Sequence, residues 1–207
     1  LRLGFKPPHT LLLTMPKNTT QKEYLSFISA HQSWIISQFH HHKSHILLRD
    51  KIFIFGEWRE FCNDFVQNLW QDFIDTQSIY SKNKLKKFYQ ATLESYIQPT
   101  LLHWSSLMNL HPNKVSYGSS VNRLGCCHSG TKNIRFSQRL SLFPQRYIDS
   151  VIIHELAHLR FPNHQKDFWN LVHTYDDNPK QIKRWLKENH SFNLFLYHKI
   201  FKPSPKS

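Results

Sequence analysis

His154-Glu155-Leu156-Ala157-His158, followed by Asn163-His164, is the stretch whose residue types and spacing can do chemistry. An α-helix turns once in ~3.6 residues, so positions four apart stand one above the other on one face. His154 and His158 can therefore hold one metal ion between two imidazoles. Glu155 projects beside them, placed to act as general base toward a water on that metal. Catalytic zinc usually takes three protein ligands and keeps a fourth position open. His164 supplies the third if the chain reverses between residues 159 and 164. In a chain with 15 histidines, random placement yields roughly 0.03 matches to H-E-x-x-H. Two histidines and a carboxylate buried together without a metal would be costly to desolvate.

The spacing from His154 to His164 matches H-E-x-x-H-x-x-G-x-x-H, the metzincin pattern. Phe161 stands where that pattern has glycine, and both methionines, Met15 and Met108, lie upstream, where no methionine turn can form. His173 and His190 are rivals for the third position, each needing a longer excursion of the chain.

These side chains need a helix to present them. Tyr147 to Ile153 is apolar on nearly every face, as a buried helix should be. Pro144 suits its first turn, where N–H groups are spare. Pro162 biases Phe161 away from helical angles, so the helix should end close to Arg160. Asn163 could then cap a following helix through Phe168, Trp169, Leu171 and Val172.

Upstream, Leu1–Phe5 and Thr10–Met15 read as strands around a Pro7-Pro8 turn. Asn18-Thr19-Thr20 reads as the cap of a helix with helical spacing at Tyr24, Phe27, Ile28, Trp34 and Ile35. His40-His41-His42 and His45 form a loose histidine tract, more often solvated than functional. Ile46–Leu48 and Ile52–Phe55 read as strands, with a third after Gly56. A polar patch from Thr76 to Asn83 resembles a linker. A long helical stripe follows from Leu85 to Met108, kinked or divided by Pro99 and ended by His111-Pro112. Lys114–Tyr117 and Asn133–Phe136 read as strands separated by the loop Asn122–Cys127. The division expected is a β-rich appendage with one helix over residues 1–75, a catalytic domain over 76–201, and a frayed tail over 202–207.

The 207 residues are 40% hydrophobic and 14% aromatic, enough for a sizeable core. The net charge of +13 points to polyanions such as nucleic acid or nucleotides, or to lysines spread over solvated faces. Three cysteines, Cys62 and the pair Cys126-Cys127, make an odd number without framework spacing, which favours a reducing, cytoplasmic setting. No run approaches the ~18 apolar residues of a membrane span, and Lys6-Pro7-Pro8-His9 interrupts any signal-peptide pattern.

Taken together, His154 to His158, Asn163-His164 and Phe168-Trp169 resemble the signature of YgjP-like metal-dependent hydrolases, relatives of the SprT-like metallopeptidases. That family carries a loop of the form R-W-G-S-C, a strand, a leucine-rich segment, a proline and then the zinc helix. Here Arg123-Leu124-Gly125-Cys126-Cys127, Asn133–Phe136, Leu140-Ser141-Leu142 and Pro144 follow in that order. Thr14-Met15-Pro16 and the helix bearing Trp34-Ile35 resemble its N-terminal portion. Leu124 replaces the tryptophan and Cys126 the serine. The resemblance implies an α+β, zincin-like fold with a small sheet beside the metal-bearing helix. For activity it implies a metallopeptidase, and a nucleoside-triphosphate pyrophosphatase label is also attached to members.

Three functions follow as expectations. The first is a zinc hydrolase acting on peptide or protein substrates, with Glu155 as base and His154, His158 and His164 as ligands. The second keeps the metal and changes the substrate to a phosphoanhydride, although five glycines leave little for a phosphate-cradling loop. The third is a basic nucleic-acid-associated module with structural zinc; three histidines beside one carboxylate favour an open, catalytic site over it. Arg123 could stabilise an oxyanion or be a structural arginine at a strand end.

Overall fold

The computed structural model describes residues 1–6, 10–35, 49–179 and 181–201. The Pro7-Pro8 turn, the His40–His45 tract, the strand expected at Ile46–Leu48 and the tail from Lys202 lie outside the described residues. The chain opens with an antiparallel hairpin of β1 (Arg2–Lys6) and β2 (Thr10–Thr14). Helix α1 (Gln21–Ala30) starts at a capping box in which Thr20 and Glu23 satisfy each other's backbone N–H groups.

A second hairpin, β3 (Lys51–Ile54) and β4 (Glu57–Glu60), turns through Phe55 and Gly56, both at positive φ, as a two-residue hairpin of matching twist requires. A Cβ on Gly56 would collide with the Pro144 ring, so the tip of this hairpin abuts the start of the helix that carries the histidines. Phe55 N–H donates to Ser141 O at 2.8 Å, and the Tyr89 hydroxyl donates to Phe53 O at 2.6 Å. Ile52, Phe53, Ile54 and Phe55 thereby share one core with Leu85, Tyr89, Leu93 and Ile97.

Helix α2 (Asp64–Thr76) was not anticipated. Asn63 caps it by accepting from Val66 N–H, and Val66, Leu69, Trp70 and Phe73 bury one stripe at helical spacing. The expected linker at Thr76–Asn83 shrinks to a joint, Gln77 and Ser78. Gln77 ends α2 in the left-handed region, and Ser78 caps α3 (Ile79–Met108). The polarity of that patch belongs to caps and to exposed helix faces.

Helix α3 runs unbroken for 30 residues and buries Leu85, Tyr89, Leu93, Ile97 and Leu101 at a period of four. It passes through Pro99, which is exposed, so the carbonyl deprived of its partner on that turn can be met by water.

Three strands follow, β5 (Lys114–Gly118), β6 (Gly125–His128) and β7 (Asn133–Ser137), in the order β5-β7-β6. β5 lies parallel to β7, and β6 antiparallel. Gly125 to Cys127, expected in a loop, thus form most of an edge strand. Rows at Val115, Ile134 and Cys127 and at Tyr117, Phe136 and Gly125 face the core, whereas Lys114, Asn133 and His128 and Ser116, Arg135 and Cys126 face outward. A buried 3₁₀ turn (Gln138–Leu142) leads into α4 (Gln145–Ala157), α5 (Lys166–Tyr175) and α6 (Gln181–Phe201). The mixture is α+β, as expected. No helix among the described residues is long and apolar enough to cross a membrane.

Candidate metal centre

Helix α4 buries Ile148, Val151, Ile152, Ile153 and Leu156 between α3, α5 and β6, which fixes its rotation about its own axis. The rotation aims His154, Glu155 and His158 toward one cavity. Regular helix ends at Ala157, with His158 at the cap, and tighter turns continue as Arg160 N–H and Phe161 N–H both reach Ala157 O. Pro144 stands at the N-cap, just before the first helical residue. Pro162 then lets the chain reverse, bringing His164 back over the helix end. The cap of α5 is Gln165, two residues after the Asn163 that was expected there, and it makes no side-chain capping bond. Asn163 instead accepts the Gln165 N–H on its carbonyl, part of the turn that delivers His164.

His154, His158 and His164 each offer a ring nitrogen, and the three atoms lie within 4.8 Å of one another. His154 Nε2 and His164 Nε2 are 3.0 Å apart. Two nitrogens bound to one tetrahedral zinc at 2.0–2.1 Å stand about 3.3 Å apart, so the His154–His164 pair is already close to ligand spacing and His158 is within reach of the same ion. His158 Nδ1 lies 3.0 Å from Phe161 O. Only a protonated Nδ1 can donate to a carbonyl, so the Nε2 lone pair of His158 is left for a metal. Burial, followed by the neighbouring His158 and His164, pulls His154 down to about 4. Burial also lowers His158, so both are neutral imidazoles, the form that ligates. Neither rival joins the group: His173 is exposed one turn beyond Trp169, and His190 lies by Arg139.

Glu155 is 6% exposed. Burial raises its carboxyl to about 7, opposed by a hydrogen bond from the Cys127 backbone N–H. The carboxyl packs so closely on β6 that a Cβ at Gly125 would stand 2.5 Å from Oε1. Edge strand and carboxylate therefore specify each other: glycine leaves the space, and the next inward residue supplies the N–H. The Cys127 thiol itself is pushed up to about 11 by burial, then by Glu155 and Cys126, so it is protonated at neutral pH and is no thiolate nucleophile.

Fully buried Phe168 packs on all three imidazoles, with centroids 4.9, 4.6 and 4.7 Å away, and Trp169 stacks on His164 at 5.8 Å. These rings hold the imidazoles where a metal would find them. The cavity in front measures about 330 Å³ and is lined by the three histidines, Glu155, Arg123 and the β6 backbone among others. All four residues singled out from the sequence thus converge. The roles of Gly125, the Cys127 N–H and Phe168 were not read from it, although the glycine in Arg123–Cys127 and the aromatic pair after His164 were the available signals.

A family model described as YgjP-like, metallopeptidase domain, matches residues 1–189 of the chain. No curated protein and no solved structure gives a significant match.

Proposed function

Since the chain belongs to the YgjP-like metallopeptidase family, we propose that it is a zinc-dependent peptidase in which His154, His158 and His164 hold the zinc and Glu155 is the general base. The observation that carries this reading is the convergence of three imidazole nitrogens with one buried carboxylate on a single cavity. Zinc held there would supply a Lewis acid that polarises the scissile carbonyl and acidifies water.

The chain's own residues do the rest. The Glu155 carboxylate takes the proton of the attacking water and returns it to the leaving amine nitrogen. The Cys127 N–H orients that carboxylate, and Gly125 lets the edge strand lie against it. Phe168 and Trp169 fix the ring planes of the ligands, and the Phe161 carbonyl fixes the tautomer of His158.

Metal analysis of the untagged protein tests the ligand set, with one zinc per chain expected for wild type and clear loss in His164→Ala. Glu155→Gln should keep its zinc and lose at least about 10²-fold in cleavage of a peptide mixture. A His164→Ala variant that retains full zinc, or a Glu155→Gln variant that cleaves like wild type, overturns the assignment.

A further inference from the structure

The outward face of the β5-β7-β6 sheet carries a concavity of about 650 Å³ that the mechanism does not use. Its cationic side chains are Lys114, Arg123 and Arg135, with the His128 imidazole beside them, and none of its lining residues is acidic. Among the described residues none of these four side chains has an ion-pair partner. All four are exposed. The Arg135 guanidinium lies flat across Gly118, where a Cβ would collide with it, so it stays on the sheet and faces the hollow.

This hollow continues into the candidate metal centre: Arg123, Gly125 and Cys126 line both cavities. Arg123 itself sits on a tethered loop. Ser137 N–H donates to Leu124 O, the Ser137 hydroxyl to Ser120 O, and the buried Arg139 to Val121 O. The backbone that carries Arg123 is therefore held at the junction of the two spaces.

We propose that this face selects substrates whose polypeptide carries acidic side chains on one side of the scissile bond, with Arg123, Arg135 and Lys114 as the specificity-determining residues. The proposal rests on the peptidase reading above and names its substrate class. Charge complementarity supports it: several unpartnered cations without a lining carboxylate attract anionic side chains and repel basic ones. The shape favours peptide over nucleic acid. The aromatic that lines the hollow, Phe136, is fully buried and offers no stacking platform for bases.

The test measures binding apart from turnover, by fluorescence anisotropy of labelled ten-residue peptides on zinc-loaded Glu155→Gln protein. One peptide carries three glutamates, and matched peptides carry glutamine, lysine or phosphoserine at those positions. The glutamate peptide should bind about tenfold tighter than the glutamine one, since each exposed pair contributes roughly two- to fivefold. The preference should shrink as salt rises. Arg135→Gln should lose about threefold, and the Arg123→Gln/Arg135→Gln double variant should lose most of the preference. Gly118→Ala, which displaces only the end of the Arg135 side chain, should resemble Arg135→Gln. Equal affinity for glutamate and glutamine peptides overturns the proposal, as does a double variant with undiminished preference. Selection of phosphoserine alone assigns the face to phosphate, and duplex DNA displacing the glutamate peptide at lower concentration than unlabelled peptide assigns it to nucleic acid; either refutes it. Selective binding without cleavage by zinc-loaded wild type refutes the peptidase reading and leaves the acidic preference standing.

Discussion

Replacing Gly125 with alanine places a methyl group where the Glu155 carboxyl now sits. The added Cβ would stand 2.5 Å from Oε1, against at least 3.4 Å for an ordinary contact. One side must yield by about 0.9 Å. Glu155 is 6% exposed and hemmed in by its own helix, so the carboxylate turns away and its hydrogen bond from the Cys127 N–H lengthens or breaks. Misplacing a catalytic group by about 1 Å costs on the order of 10²-fold in rate. Forcing an extra methyl into a packed site costs ~1–3 kcal/mol. With an unfolding entropy near 2.1 cal/mol/K per residue, a chain of 207 residues should lose about 2–7 °C in Tm. The histidines are untouched, so zinc stoichiometry should hold at the wild-type value. Peptide cleavage, metal analysis and calorimetry on the same preparation separate these effects. Gly125→Ala protein with wild-type turnover and an unchanged Tm would refute the coupling between the edge strand and the carboxylate. Loss of zinc would show that the edge strand acts on the ligands.

Phe168→Ala removes the ring on which all three imidazoles rest, and should cost about 3–5 kcal/mol in stability by calorimetry, with faster zinc release to a chelator; Phe168→Leu should be milder on both counts. Asp149, which accepts the Tyr96 hydroxyl at 2.7 Å, has its carboxyl raised above the ordinary 3.8 by burial. A raised folded-state value means a stabilising contribution that is full below about pH 3.8 and lost as pH rises through the folded value. Asp149→Asn should therefore flatten that part of the stability–pH curve, and a curve superimposable on wild type would refute it. His190 is shifted the other way, lowered by burial and then by Arg139. Its contribution is present above about pH 6.5 and lost as pH falls, and His190→Gln should abolish that acid-side loss in urea titrations followed across this range.

The residues of the candidate centre were legible because helical periodicity is local: His154, Glu155 and His158 share a face wherever that helix lies, and Pro162 ends it wherever it points. A cap within Asn18-Thr19-Thr20 was legible for the same reason, and the structure places it at Thr20. The joint at Gln77-Ser78 was not, because serine and asparagine favour linkers, caps and exposed helix faces alike, and only the buried stripes on either side distinguish them. Of the kink or division expected at Pro99, the division did not form, since the cost of a missing N–H depends on whether water reaches the freed carbonyl.

From its own order of residues the chain determined a candidate metal-binding constellation of H-E-x-x-H and a third histidine, together with the helices that carry it. Tertiary structure decided what surrounds those residues. Strand β6 could not be read from Gly125–His128 alone, because a short strand is defined by its pairing with β7 and by the helix it covers. That pairing turns Gly125 and Cys127 inward to the Glu155 carboxyl and Cys126 and His128 outward to the basic face, so one strand borders two candidate sites through a side-chain alternation that exists only once a partner strand sets its register.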